Sequence, residues 1–410
     1  MSNTRHIVYI NEFFHPDICA SAAVITEQLP RLLRLRNDLR ITVIAGNRAW
    51  HDPSRTYPRE EVVAGVRVVR VRRPAIRRSS LLRRGLGFVM FGRGVIRAAS
   101  RLDQVDLVIG TTAPPHGGWL ARRIAERHGC PFIYRVLDLY PDLVVALGRI
   151  KRNGRIHRLW RSVDATTMQR AAAVVTVAQR ISERITRTRD LPAAKVFTLH
   201  DGLDPARIEP PARNTFRRRH NPDGRFVIQY AGNMGLSHPF DAIITAAREL
   251  APDPGLLFQF VGDGPQRADL EDRLPDEAQC IDYQPAERLG EVLATADVCL
   301  ISQHADMFDM AIPYKIYASL SSGKPVIFVG NARSDIAQWL VERGVGVQVN
   351  PSDARGLVRV IREFRNTPDR CKRMGVAARA MLNHRFHADI IANQWSRIID
   401  AALGAEPATV

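Results

Sequence analysis

Lys315 is the residue whose type and setting point most directly to chemistry. The chain has five lysines, Lys151, Lys195, Lys315, Lys324 and Lys372, against 54 arginines. Lys315 falls in Pro313-Tyr-Lys-Ile-Tyr-Ala-Ser-Leu-Ser-Ser-Gly-Lys-Pro-Val326, which reads as a strand exit, a short helix and a glycine break before another strand. A point charge beside a helix start suits a phosphate; the competing reading is a solvated helix lysine. Two glycine-spaced loops share the same half of the chain. Tyr230-Ala-Gly232-Asn233-Met-Gly235 ends one buried strand, and Val261-Gly262-Asp263-Gly264-Pro265 ends the next, with Arg267 just beyond. Glycine lets a backbone approach a ligand closely, and loops at successive strand ends open into one crevice. Asp263 also reads as a helix cap. Asp282 and Tyr283, after a further strand, could present backbone groups to a planar base.

In the first half, Asp138 follows a strand in Arg135-Val-Leu-Asp-Leu-Tyr-Pro141, and His116 follows Pro114-Pro115 at another strand exit. Both are polar groups at the ends of buried strands. The plainer alternatives are a helix-capping aspartate and an incidental loop histidine.

These positions need a scaffold of alternating strands and helices, and the sequence supplies one. Short Val- and Ile-rich runs alternate with amphipathic segments throughout, the pattern of βαβ units on parallel sheets. Strands are expected at 6–10, 41–45, 66–71, 106–110, 132–136, 174–177 and 195–199, then at 226–231, 256–261, 278–282, 297–301, 325–329 and 346–349. Two such series in 410 residues give an α/β protein of two Rossmann-like domains. The polar, proline-rich stretch between Asp204 and Asp223 divides them, setting domains at 1–205 and 206–387. Residues 388–410 hold a helix, expected to cross back to the first domain, and a tail. The five cysteines are scattered and form no CxxC pair, which fits a reduced, cytoplasmic compartment and no metal site. No run is long and apolar enough to span a bilayer.

Taken in order, these motifs resemble the family-four retaining glycosyltransferases of the GT-B fold, in the branch that builds bacterial capsular and O-antigen polysaccharides. The likeness runs through Phe13-Phe-His-Pro16, Arg135 to Pro141, Val174-Val-Thr-Val-Ala178, His200-Asp-Gly-Leu-Asp204, Tyr230 to Gly235, Val261 to Pro265, Ala296-Asp297 and Pro313 to Val326. It implies a UDP- or GDP-linked sugar bound mainly to the second domain, an acceptor on the first, transfer in the cleft with retention, and neither cofactor nor essential metal. Donor contacts are then expected from Gly232, Asn233, Gly235, Gly262, Asp263, Gly264, Arg267, Asp282, Tyr283, Tyr314, Lys315 and Ser319. Asp138 and Lys315 become the expected catalytic pair, Ala20 and Ser21 the first-domain loop facing the diphosphate, and His116 an acceptor contact. Three motifs depart from the family pattern. Met310 and Ala318 stand where a Glu-x7-Glu pair is usual, Leu137 precedes Asp138 where a histidine is usual, and Ala20-Ser21 replaces Gly-Gly. Other readings on this fold are a nucleotide-sugar 2-epimerase and a non-catalytic sugar-nucleotide-binding subunit.

The net charge of +17 favours anionic partners. Eleven arginines and no acid lie between Arg67 and Arg101, interleaved with Leu81, Leu82, Leu86, Phe88, Val89, Met90, Phe91 and Ile96. A second cluster runs from Arg149 to Arg161 around Trp160. Basic, apolar segments of this kind lie in membrane interfaces. The expectation is a peripheral enzyme on the inner face of the cell membrane, acting on a glycan or polyprenyl-diphosphate-linked acceptor. Nucleic acid is not an expected partner, because no reading motif accompanies the charge.

Overall fold

The computed structural model describes residues 4–50, 52, 54–73, 81–209 and 211–404, with the side chains of 81–84 outside the description. Arg77, Arg78 and the side chains of Leu81, Leu82, Arg83 and Arg84 from the first basic segment therefore lie outside the described residues. The chain divides into two compact units, one of residues up to Asp201 together with those from Ala388, the other of Gly202–His387.

The first unit is built on β1 (Arg5–Ile10), β2 (Leu39–Gly46), β3 (Glu60–Val63), β4 (Val66–Val71), β5 (Leu107–Thr111), β6 (Phe132–Val136), β7 (Ala173–Thr176) and β8 (Val196–Thr198). They form one sheet in the order β3-β4-β2-β1-β5-β6-β7-β8. Its helices are α1 (Ala20–Leu35), α2 (Leu81–Ala99), α3 (Gly117–His128), α4 (Asp142–Ala146), α5 (Arg155–Arg170) and α6 (Gln179–Arg189). All pairings are parallel except β3 with β4. Helices on both faces leave the central strands no exposed side, so β1 and β5 are almost wholly buried and read as continuous apolar runs.

The second unit opens with α7 (Thr215–His220) and β9 (Phe226–Ala231), followed by α8 (Asp241–Leu250), β10 (Leu256–Val261), α9 (Arg267–Arg273) and β11 (Gln279–Ile281). It continues with α10 (Leu289–Thr295), β12 (Val298–Ser302), α11 (Lys315–Ser321), β13 (Val326–Val329), α12 (Asp335–Arg343) and β14 (Gly346–Val349), then α13 (Ala354–Asn366) and α14 (Pro368–Met381). Its all-parallel sheet has the order β11-β10-β9-β12-β13-β14. In each sheet the winding reverses once, between β1 and β5 and between β9 and β12. Strand-end loops diverge at such points, which leaves a crevice for a ligand. Glutamines pin the register beneath the second crevice: buried Gln229 Nε2 donates to Gln259 Oε1 at 2.7 Å, and Gln259 Nε2 to Gln279 Oε1 at 3.1 Å.

The expected strands are all present; β3 is the addition. Glu60-Glu-Val-Val63 turns into β4 through Ala64 and Gly65, both at positive φ (48° and 85°). This is a two-residue hairpin without the usual Asn-Gly or Asp-Gly signal, on a strand opened by two glutamates, so neither propensity nor turn chemistry announces it.

Helix α15 (Ala388–Ala402) follows all the strands and packs on α1, inside the first unit. Its Ile391, Trp395, Ile398 and Ile399 enter the same core as Ile7, Tyr9, Ile25 and Leu29. A buried polar knot fastens it. Arg135, fully enclosed, donates from Nη1 to Gln28 Oε1 (2.9 Å) and Tyr9 Oη (3.1 Å) and from Nη2 to Asp201 Oδ1 (2.7 Å). Trp395 Nε1 donates to the same Gln28 oxygen at 3.1 Å, and the guanidinium lies 5.2 Å from the indole. Asp201 thus belongs to the first unit, whereas the Leu203 N–H already donates to Phe386 O of the second at 2.9 Å. The changeover falls at Asp201/Gly202, four residues ahead of the expected 205.

Candidate active site

The two glycine loops of the second unit stack backbone on backbone. Met234 N donates to Asp263 O at 2.8 Å, and Gly232 N to Val261 O at 2.8 Å. Gly262 (φ 142°) and Gly264 (φ 154°) have conformations that side chains rarely adopt. A Cβ on Gly262 would lie 2.2 Å from Gly232 O, and one on Gly264 2.6 Å from Met234 O. These two glycines therefore permit loop-on-loop packing. Gly232 (φ 118°) differs, since a Cβ there would meet only the Lys315 tip, at 3.6 and 3.7 Å. Gln266 closes the arrangement, donating from Nε2 to Gly235 O and, at 2.9 Å, to His238 O.

Lys315 opens α11 and points its ammonium at this loop pair. Nζ lies 3.5 Å from the centre of the Tyr230 ring and 3.4 Å from Asn233 O, which also accepts from Tyr230 Oη at 2.8 Å. Among the described residues no carboxylate pairs with it. Burial pulls its pKa well below the usual lysine value, since a desolvated ammonium without a counter-ion is disfavoured. Beside it His238 spans the switch point: its ring Nδ1 lies 2.6 Å from Ser302 O, and the His304 N–H reaches Ser237 O at 2.8 Å. A carbonyl only accepts, so Nδ1 carries the proton. Burial, reinforced by Lys315, brings the His238 pKa down to about 3, which leaves a neutral ring with Nε2 as an acceptor.

In the first unit, Asp138 sits in the loop after β6, its N–H donating to Thr112 Oγ1 at 3.1 Å across the end of β5. The helix that follows, α4, has Pro141 at its cap, so Asp138 caps nothing. Burial, with a smaller push from Asp201, raises its carboxyl pKa to about 6. His116 stands at the start of α3, with its ring against Phe88 of α2 at 5.4 Å. Its Nε2 is buried with no hydrogen-bond partner, and burial lowers its pKa to about 4. It is a neutral, packed side chain. Ala20 and Ser21 form the first turn of α1, behind Cys19 at the cap, and no side chain caps that turn.

Residues 22–202 match the family model described as glycosyl transferase 4-like domain, and residues 212–381 match that described as glycosyl transferases group 1. The chain belongs to the family-four glycosyltransferases of the GT-B fold. Among relatives of this transferase, the probable glycosyltransferase WbjE of Pseudomonas aeruginosa is 25% identical over 301 residues, spanning 71% of this chain and 74% of that protein. The putative colanic acid biosynthesis glycosyl transferase WcaI of Escherichia coli is 24% identical over 65% of this chain and 67% of its own. Solved structures share the fold. Sucrose-phosphate synthase from Thermosynechococcus elongatus superposes with a TM-score of 0.77 at 16% identity, over 98% of this chain and all of that one. Anabaena HepE, in complex with UDP-glucose, gives 0.72 at 14% identity, over 97% of this chain and 99% of that one.

Several positions read from sequence have other duties in the transferase. Arg267 is committed to Gly262 O (2.7 Å), Glu271 (2.9 Å) and Asp282 (2.8 Å). It braces one glycine loop against the β11 exit, and Asp282 is its exposed partner, with Tyr283 next along the surface. Asp263 accepts from its neighbour Gly264 N at 2.8 Å, while Gln266 occupies the cap of α9, so the expected helix cap is not formed. Ser319, one turn after Lys315 on α11, is buried against Cys299. Asp309 is buried, as is Met310 beside it. Tyr314 packs at 5.6 Å on Tyr317, next to Lys315. The sequence reading passed over His238 and Gln266. His238-Pro239 just past a glycine turn is a usable cue for the first; Gln266 carries none, because its acceptors are backbone carbonyls set by the stacked loops.

Proposed function

We propose that the transferase takes a UDP- or GDP-linked sugar on its second unit and passes the glycosyl group, with retention, to a glycan or lipid-linked acceptor of bacterial surface polysaccharide synthesis. The observation that carries the donor assignment is the Lys315 ammonium, unpaired by any described carboxylate, over two stacked glycine loops at the switch point of the second sheet. A diphosphate there supplies the missing negative charge, and the cation is worth most as the phosphate leaves and its charge grows. The HepE complex with UDP-glucose, and the likeness to the probable glycosyltransferase WbjE and the putative glycosyl transferase WcaI, support the same reading.

In this reading Lys315 holds the diphosphate, with Gly232, Asn233 and Gly235 offering backbone at close approach. The first unit contributes Asp138, whose carboxyl at about 6 is mostly ionised at neutral pH and orients a sugar hydroxyl. The acceptor's proton passes to a phosphate oxygen of the leaving group, so the reaction needs neither a side-chain base nor a metal. The acceptor is reached at a membrane surface, by an enzyme on the cytoplasmic face.

Incubation with labelled UDP- and GDP-sugars and polyprenyl-diphosphate-linked acceptors tests this. Transfer, with the anomeric configuration of the donor kept in the product by NMR, is the expected result. Isomerised free nucleotide sugar, or saturable binding without turnover, would sink it.

A further inference from the structure

The first unit carries exposed apolar side chains that its core does not explain. On α5, Ile156 and Leu159 are 67% and 69% exposed, and Val163 continues the stripe one turn on. On α2, Leu86 and Val89 are 62% and 52% exposed. Trp119 of α3 is exposed as well, and α3 packs between the other two helices. Chain direction brings these groups to one edge. Helix α3 begins where β5 ends, and α2 and α5 finish before β5 and β7 begin. All three therefore start at the carboxyl edge of the sheet, where Asp138 and His116 lie. Two contacts tie the helix starts to that edge: Phe88 on His116, and Trp160 stacked on Tyr140 at 5.8 Å with rings 3° from parallel.

The charge around these groups has one sign. Helix α2 has no acid in its sequence, and exposed Arg93 and Arg97 follow its apolar patch. Between Asp142 and Glu183 the sole acid is Asp164, which is buried and held by Arg189 at 3.1 Å. Exposed Lys151, Arg152, Arg155 and Arg158 flank the α5 stripe. Glu126 is the one exposed acid on the three helices, and Arg122, Arg123 and Arg170 all reach it.

We propose that the N-terminal halves of α2, α3 and α5 form a face that seats on an anionic lipid bilayer, the aliphatic groups and Trp119 entering the headgroup boundary while the arginines pair with lipid phosphates. The proposal rests on the peripheral placement given above and names the surface that makes it. Apolar groups ringed by cations match a surface that is anionic outside and hydrocarbon beneath. An acceptor whose lipid lies in the same leaflet would be presented to the edge that carries Asp138.

The test is cosedimentation of the full chain with phosphatidylcholine vesicles, with and without phosphatidylglycerol, at low and high salt. Binding is expected on the anionic vesicles alone. The Arg155→Ala/Arg158→Ala pair should weaken it about thirtyfold, at about 1 kcal/mol per basic residue. Ile156→Ser/Leu159→Ser should weaken it at least about tenfold and remove the part that survives high salt. Quenching of tryptophan by brominated acyl chains should fall in Trp119→Phe. UDP affinity and turnover of a water-soluble acceptor, measured on the same variants, report on the transfer reading separately. Absence of vesicle binding, equal binding by the paired variants, or a size-exclusion shift to a dimer that Ile156→Ser/Leu159→Ser abolishes would each overturn the membrane face, whatever the transfer assays give.

Discussion

Replacing Lys315 by methionine keeps the length of the side chain and removes its charge. In the structure the ammonium lies over Tyr230, with Asn233 O as its hydrogen-bond acceptor and no carboxylate partner among the described residues. A charge-assisted hydrogen bond to phosphate contributes about 1.5–3 kcal/mol. Lys315→Met should therefore weaken nucleoside diphosphate binding about 10- to 150-fold by calorimetry, at 1.4 kcal/mol per factor of ten. The lowered pKa adds a signature that a merely structural lysine lacks. Its folded pKa lies below the unfolded one, so above the folded value the site is neutral when empty and takes up a proton when a diphosphate arrives. Affinity for UDP or GDP should then fall as pH rises through the range above that folded value. At a pH above that folded value and above the phosphate's own titration near 6, titrations in two buffers of different ionisation enthalpy should give different apparent heats for wild type and equal heats for Lys315→Met. By the same linkage, removing an amine that burial discourages from charging should leave the ligand-free variant no less stable at neutral pH. Ala318→Glu places a carboxylate one turn along α11, where a pair of this spacing is worth only about 0.2–0.5 kcal/mol, so it should change affinity about twofold. Equal affinity and equal proton uptake in wild type and Lys315→Met would refute the assignment.

Asp138 has its carboxyl raised from 3.8 to about 6; such a group destabilises the fold progressively as pH rises from 3.8 through 6, by up to about 3 kcal/mol. Asp138→Asn should accordingly raise Tm at about pH 7.5 and not at about pH 3.5, while transfer collapses; an unchanged Tm difference across that range would count against it. His116 runs the other way: with a pKa lowered from 6.5 to about 4, its neutral form stabilises the fold above pH 6.5 and that stability is lost as pH falls towards 4. His116→Leu should flatten the acid limb of a urea-stability profile, and if transfer is also lost the ring serves the acceptor as well as the packing. Arg135→Met should cost about 3–5 kcal/mol in urea unfolding, because Asp201 is left buried and unpaired, and Arg135→Met/Asp201→Leu should recover much of it. Gly264→Ala drives a Cβ into Met234; UDP affinity should fall through displaced loops, with α8 and β9 still folded by circular dichroism.

Much of this architecture is readable because parallel strands buried on both faces must be largely apolar runs, and β5, β12 and β13 obey that requirement. What stayed hidden depends on partners far along the chain. Arg135 and Asp201 both stand in recognisable motifs, yet their pairing across 66 residues, and the share that Gln28 and Trp395 take in it, exist only once α1 and α15 are side by side. Arg267 shows the same limit from the opposite side. A basic residue after a glycine loop suits a phosphate, but Glu271 comes one helical turn later and the chain returns Asp282 from β11, so its charge is already answered. Lys315 differs from Arg267 in one respect, the absence of any such acid among the described residues, and that absence belongs to the folded arrangement. The glycines likewise have a duty other than ligand approach: Gly262 and Gly264 are needed for the loops to stack at all, and Gly232 borders the Lys315 tip. Side-chain type therefore locates the crevice of the second sheet, and the folded arrangement alone shows which of its cations is left without a carboxylate, the cation to which the proposed function assigns the diphosphate.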